Sequence, residues 1–375
     1  MIQASSIFNA YININILLVI SFSLWLIVRF ILNRSGMKYA YSTQLRLLNC
    51  VFLAILFSPL FVLGFNLAGQ YGAIPAGFSL NLSDFVLAQY LNGSFEMQAV
   101  EFEQALRLRD TLRLNLLQPT GWLGFMVAAL MIAGCLGFFL RCVVAGFQLR
   151  NIIGRSYPWC RFGTLHLRLS DTTSVPFSAR SLRKRYIVIP SAMLSRSEDL
   201  KIALAHEFQH FRQRDVEWEI ALELLKSVFF WNPVIYFWKR QIEQLRELAC
   251  DQQVLQRNHI NVRAYCDCLL RVCRDSLANP PRDRIALPSV ALVQCELKII
   301  GVDGVRLLRQ RIESLCRSQG EMQSNRPKRW LMALLIGLIA VSTIAIQDQS
   351  DWSQDRLMLS SIANLERLEV LNSGQ

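Results

Sequence analysis

Two of the four histidines in this chain fall four residues apart, in the run His206-Glu207-Phe208-Gln209-His210. On a helix, residues i and i+4 stack on one face with Cβ atoms roughly 6 Å apart. Both imidazoles can then reach one tetrahedral Zn²⁺ through bonds of about 2.0–2.1 Å. Glu207 stands beside them, placed to take a proton from water and pass it to a leaving amine. The chemistry this pattern predicts is metal-assisted hydrolysis. The blander alternative is a helix whose histidines are only packed or solvated. At roughly 100° per residue, Leu200, Leu204, Phe208 and Phe211 share one stripe and the two histidines lie nearly opposite. One face is thus expected to anchor in the core while the other opens to a cleft.

A catalytic zinc needs a third protein ligand and an open position. Three downstream residues qualify by type. His259 follows Asn258 at a predicted helix end. Asp215 comes five residues after His210 and, on an uninterrupted helix, would point away from the pair. Glu247 lies in Arg246-Glu247-Leu248-Ala249-Cys250-Asp251, with Asp251 one turn on. That is the spacing of a ligand followed by a carboxylate that can accept the free N–H of a ligating histidine and fix its orientation. Glu243, Glu247 and Asp251 also form an acidic stripe of the kind that solvent usually covers, so spacing alone leaves the third ligand open.

The elements around this run follow from local patterns. Strands are predicted over Thr164–Ser170 and Arg185–Pro190, with Ser174–Ser178 as a turn-rich connection. A helix is expected from Ser197 to Glu223 or beyond, with Glu198 and Asp199 suiting the dipole of its first turn. The apolar run Val228–Trp238 has eleven residues and is broken by Asn232-Pro233. It is too short to cross a bilayer and reads as a buried or interfacial corner. Asn232 suits an N-cap and Pro233 a first helical position, which predicts a long helix to about Asn258. Further helices are expected over 262–277 and 302–317.

The composition places part of the chain in lipid. Hydrophobic residues make up 53% and charged ones only 18%, against about 25% charged in soluble domains. Four apolar stretches, Tyr11–Leu32, Leu45–Ala68, Gly121–Phe147 and Trp330–Ile346, come near or within the roughly 17–25 residues of a crossing. The fold class expected is a multi-pass α-helical membrane protein with four transmembrane helices. The first three lie in a membrane region, 1–147, with an outer segment, 69–120, that carries a helix near 95–117. An α+β metalloprotease domain of the gluzincin type is inserted at 148–329, followed by the fourth span at 330–346 and a short tail at 347–375.

Charge sets the expected orientation. Segment 148–329 carries 30 Lys and Arg against 18 Asp and Glu, whereas 69–120 and 347–375 are net acidic. The basic domain is therefore predicted to be cytoplasmic and both termini outside. The basic residues are dispersed and no nucleic-acid motif accompanies them, so contact with anionic lipid is expected in place of nucleic acid. Of the ten cysteines, Cys50, Cys135 and Cys142 fall in the predicted spans and the others in the cytoplasmic domain, where thiols stay reduced. Cys266, Cys268 and Cys273 are read as helix-packing residues.

From Lys184 to Leu255 the chain resembles the BlaR/MecR-type membrane metallopeptidases, the antirepressor zinc proteases behind beta-lactam-induced resistance. The resemblance is carried by Pro176-Phe177-Ser178, the strand ending at Pro190, the His206–His210 run followed by Asp215, the corner Phe229–Pro233 and the run Arg246–Asp251. A weaker match is Arg311-Ile312. The resemblance implies His206, His210 and Glu247 as zinc ligands and Glu207 as general base. It also implies a bacterial cytoplasmic membrane location and signal transduction by cleavage of a cytoplasmic or membrane-associated protein. The partners to expect are a transcriptional repressor or the protease itself as substrate, membrane lipid and a second copy of the chain. Sensor members carry a penicillin-binding domain after the last span. Here 29 residues follow Ile346, so beta-lactam sensing is not expected of this chain. Two other readings stand beside this one. A non-catalytic signalling scaffold would have no need of Glu207. A membrane gluzincin of protein processing would have a longer gap than the 37 residues from His210 to Glu247.

Overall fold

The computed structural model describes residues 4–34, 38–70, 122–181, 183–258, 260–278, 290–291, 302–317 and 327–345, with 361–362 and 365. The expected outer helix near 95–117 and the ligand candidate His259 lie outside the described residues. Two compact units divide the chain. One takes in 1–26, 47–132 and 326–375, and the other takes in 27–46 and 133–325.

Among the described residues the first helices are apolar, α1 (Ala4–Arg34), α2 (Tyr41–Leu56), α3 (Ser58–Gln70) and α4 (Trp122–Arg155). Among the described residues, two helical stretches are long and apolar enough to cross a membrane, 10–34 of α1 and 125–155 of α4. The helices α2 and α3 reach that length only together, and they meet at a bend of 57°. Pro59 causes the break, because its ring cannot continue a helix past the carbonyl four residues back. The fourth expected span has an apolar stretch only over Trp330–Thr343, which is shorter than a crossing requires. The expectation of four transmembrane helices is therefore corrected to two, or three if the bent pair counts as one span. Hydropathy along a sequence registers neither a bend nor the point where a helix stops.

After α4 the chain forms a five-stranded mixed sheet in the order β1-β2-β4-β3-β5. Its strands are β1 (Tyr157–Phe162), β2 (Leu165–Ser170), β3 (Phe177–Arg180), β4 (Arg185–Pro190) and β5 (Val290–Ala291). Two predicted strands are present. The turn expected at Ser174–Ser178 gives way at Phe177 to β3, which pairs antiparallel with β4 from Phe177↔Val188 to Arg180↔Arg185. Phe177, Ala179 and Val188 pack on Leu149 of α4, so the end of an apolar helix covers one face of the sheet. Leu167, Ile187 and Ile189 point to the other face and join the main core.

That core is completed by α5 (Ser197–Gln213), α6 (Asp215–Val228), α7 (Pro233–Asn258), α8 (Val262–Ala278) and α9 (Val302–Arg317). The predicted helix from Ser197 to Glu223 is two helices, because Arg214 adopts φ 60 and ψ 32, a left-handed cap that ends α5. Asn232 caps α7 as expected, its Oδ1 accepting from Val234 N–H at 3.0 Å. The apolar corner before it rests on α4. A Cβ at Gly134 would meet Phe230 at 2.2 Å, and Phe138 packs on the same ring. Cys266 and Cys268 are buried in the core, where burial pushes their thiols up to about 11 and about 12. The last apolar helix is α10 (Pro327–Ala345).

Candidate metal centre

Helix α5 lies between β3 and β4 on one side and α7 and α8 on the other. His206, Glu207 and His210 are wholly buried, while Phe208 is half exposed. Phe211, Leu200 and Leu204 pack on the core as the stripe predicted, but Phe208 does not, and the histidine face is enclosed where an open cleft was expected. A helix enclosed by layers on both sides cannot be read from one apolar stripe.

The two rings meet edge to face, with Nε2 atoms 3.0 Å apart. Each Nδ1 is engaged on the far side. His210 Nδ1 lies 2.7 Å from Asp215 Oδ2. The left-handed break at Arg214 turns the chain back and brings Asp215 beneath His210, whereas a continuous helix would have carried it away. His206 Nδ1 lies 2.8 Å from the Tyr265 hydroxyl, and that hydroxyl donates to Asp251 Oδ1 at 2.6 Å. Both Nδ1 atoms are thus placed to carry the ring proton, which leaves the Nε2 lone pairs facing each other.

Glu247 completes the facing group. Its Oε2 is 3.5 Å from His206 Nε2 and its Oε1 is 3.9 Å from His210 Nε2. Both oxygens are buried with no hydrogen-bond donor. Three donors held about 2.0–2.1 Å from a tetrahedral ion lie roughly 3.3 Å from one another, and the observed separations straddle that value. Two lone pairs and an orphaned carboxylate facing one point fit a divalent cation. The surrounding anionic groups favour positive charge at this point, which without an ion is carried by a ring proton that a metal would displace. Burial disfavours charge on His210, yet the Cys250 sulfur and Asp215 outweigh it and lift the ring to about 10. Burial works against Glu247 ionising, but the histidines and Arg311 bring it down to about 2.

Cys250 was not among the sequence candidates. Its sulfur lies 3.6 Å from His206 Nδ1, and His206, His210 and Cys250 offer donor atoms within 4.8 Å of one another, all buried. This cluster is able to hold a metal ion such as Zn²⁺. Tyr265 was also missed, since a tyrosine fourteen residues past Asp251 carries no local signal. Arg311, noted in the sequence only for its resemblance, is 2% exposed. It bonds both oxygens of Asp251 at 2.6 Å, and its Nη1 is 3.3 Å from Glu247 Oε2. Glu207 is pushed up by burial, an effect the two histidines and the Ser178 hydroxyl only partly offset.

Residues 9–282 match the family described as BlaR1 peptidase M56. The chain belongs to that family. Its His206-Glu207-…-His210 centre is accordingly of the zinc-dependent metallopeptidase type, in a membrane-associated chain. One curated relative is the regulatory protein BlaR1 of Bacillus licheniformis, 32% identical over 73 residues. The match spans 19% of this chain and 12% of that relative's length.

Proposed function

We propose that the protein is a membrane-bound zinc endopeptidase that cleaves a cytoplasmic or membrane-associated protein in signal transduction. The domain at 148–329 faces the cytoplasm of a bacterial inner membrane. His206, His210 and Glu247 hold the metal, Asp251 orients His206, and Glu207 is the general base. The carrying observation is the buried Glu247 carboxylate, ion-paired with Arg311, whose oxygens face the adjacent Nε2 atoms of both histidines. When bound, zinc supplies the Lewis acidity that a scissile carbonyl requires. Glu207 takes a proton from the attacking water and returns it to the leaving amine, a task suited to a carboxylate raised by burial.

An extended substrate would bind by adding a strand. β4 (Arg185–Pro190) offers no edge for this, being paired with β2 on one side and β3 on the other. Among the described residues, the outer edge of β3 beside α5 is paired only at Phe177 and Ser178, by Val290–Ala291 of the same chain. That supports a substrate arriving at the β3 edge, with the 279–304 segment as the chain's own candidate for cleavage.

A second reading rests on Cys250, which competes with Glu247 as third ligand. Metal analysis of the detergent-purified chain separates the two. About one zinc per chain is expected for wild type and for Glu207→Gln and Cys250→Ser, with most of it lost in Glu247→Ala. Loss in Cys250→Ser alone would move the ligand assignment to the sulfur. If wild type takes up no zinc on reconstitution, the enzyme reading fails and a signalling scaffold replaces it.

A further inference from the structure

A cavity of about 610 Å³ opens where α1, α7 and α9 meet, away from the metal centre. Four guanidinium groups line it, from Arg29, Arg240, Arg306 and Arg309, against the single carboxylate of Glu313. On α9, residues 306, 309 and 313 fall at i, i+3 and i+7 on one face. Arg311 leaves the same helix in another direction, toward Asp251. Arg29 is tied to α7 by a hydrogen bond from its Nη1 to Gln241 Oε1, which fixes a charge from an apolar helix at the cavity wall. Arg309 pairs with Glu313 at 2.8 Å, both of them solvent-exposed. That single carboxylate cannot balance four cations. Guanidinium forks match phosphate oxygens in both shape and charge.

The surroundings are apolar. Arg29 lies within the stretch 10–34 of α1 that is fit to cross a membrane, and the exposed Phe30 follows it on the same helix. Phe237, also exposed, stands at the cavity itself. A soluble anion would gain nothing from a cavity wall supplied by a membrane-competent helix, whereas an amphiphile would seat its head among the guanidinium groups and keep its chains in the lipid beside that helix. Basic pockets beside membrane helices bind anionic headgroups in this manner. We propose that the cavity is a binding site for a phosphate-bearing anion, the headgroup of an anionic phospholipid.

The test is native mass spectrometry of the full chain, released from micelles containing equal phosphatidylglycerol and phosphatidylcholine. Wild type is expected to retain phosphatidylglycerol in preference, and R306Q/R309Q to lose that preference by about tenfold. Both arginines are exposed, so the double variant should unfold at the wild-type temperature. Glu313→Gln, which removes the opposing carboxylate, should strengthen retention. The proposal is overturned if the double variant keeps the wild-type preference or if wild type holds both lipids equally. Displacement of the lipid by glycerol phosphate in solution at comparable concentration would also overturn it, marking a pocket for soluble phosphate. None of these residues touches the histidines, so failure here leaves the zinc assignment standing.

Discussion

Glu247 sits between two buried guanidinium groups, with Arg311 at 3.3 Å on one oxygen and Arg246 Nε at 3.8 Å from the other. Each arginine is matched elsewhere, Arg311 by Asp251 and Arg246 by Glu219 at 2.7 Å. Glu247 is therefore kept ionised and held in place without surrendering its lone pairs. Arg311→Met should leave Asp251 buried without its cation, held only by the Tyr265 hydroxyl and His206, at a cost of about 3–5 kcal/mol in stability. A chelator-competition assay should show faster zinc loss in Arg311→Lys, which retains charge but not the two-pronged grip. Asp215→Ala should weaken zinc affinity by about 10–100-fold. Tyr265→Phe should do less, because Asp251 Oδ1 already lies 3.3 Å from His206 Nδ1 and can take over. The pair His206 and His210 was legible because its spacing is the signal. Asp215 was misjudged, because its reach depends on one residue's φ angle.

Among the elements, the junction of α5 and α6 controls the site most directly. Arg214 holds a left-handed conformation that costs a non-glycine residue roughly 1–2 kcal/mol. Arg214→Gly should therefore raise the unfolding temperature slightly and leave zinc content unchanged. Arg214→Val, β-branched at that angle, should shift Asp215 and lower zinc affinity together with stability. Both outcomes are read by thermal unfolding beside metal analysis. The corner Phe229–Pro233 was legible as a corner. Its docking on Gly134 was not, since a glycine in an apolar helix looks alike whether it admits a ring or faces lipid. Gly134→Ala should cost about 1–3 kcal/mol through the clash with Phe230, and Phe230→Leu should relieve it. The strand β3 went unseen because proline and serine mask its start.

At the scale of the whole molecule, the membrane helices were visible as composition but miscounted, because a bend and an early stop belong to geometry. The basic domain carries buried charge pairs that make its stability depend on pH. Burial alone would raise Glu219, but Arg246 and Lys239 bring it down to about 2. A carboxylate depressed in the folded state stabilises above its unfolded value of about 4.3, and that contribution disappears as pH falls toward 2. Wild type should accordingly lose unfolding free energy between pH 5 and pH 2. Glu219→Gln should start less stable at pH 7, with Arg246 unpaired, and show a flatter acid slope.

The buried Arg311 has a covalent consequence as well. It reaches the centre from α9, beyond the stretch 279–301 that follows α8. A single break in that stretch would turn an internal clamp into the docking of a separate fragment. The grip on Asp251 would then depend on effective concentration. Any peptide bond cut there would loosen the chain's own metal site, tying how long the centre lasts to whether that stretch stays whole.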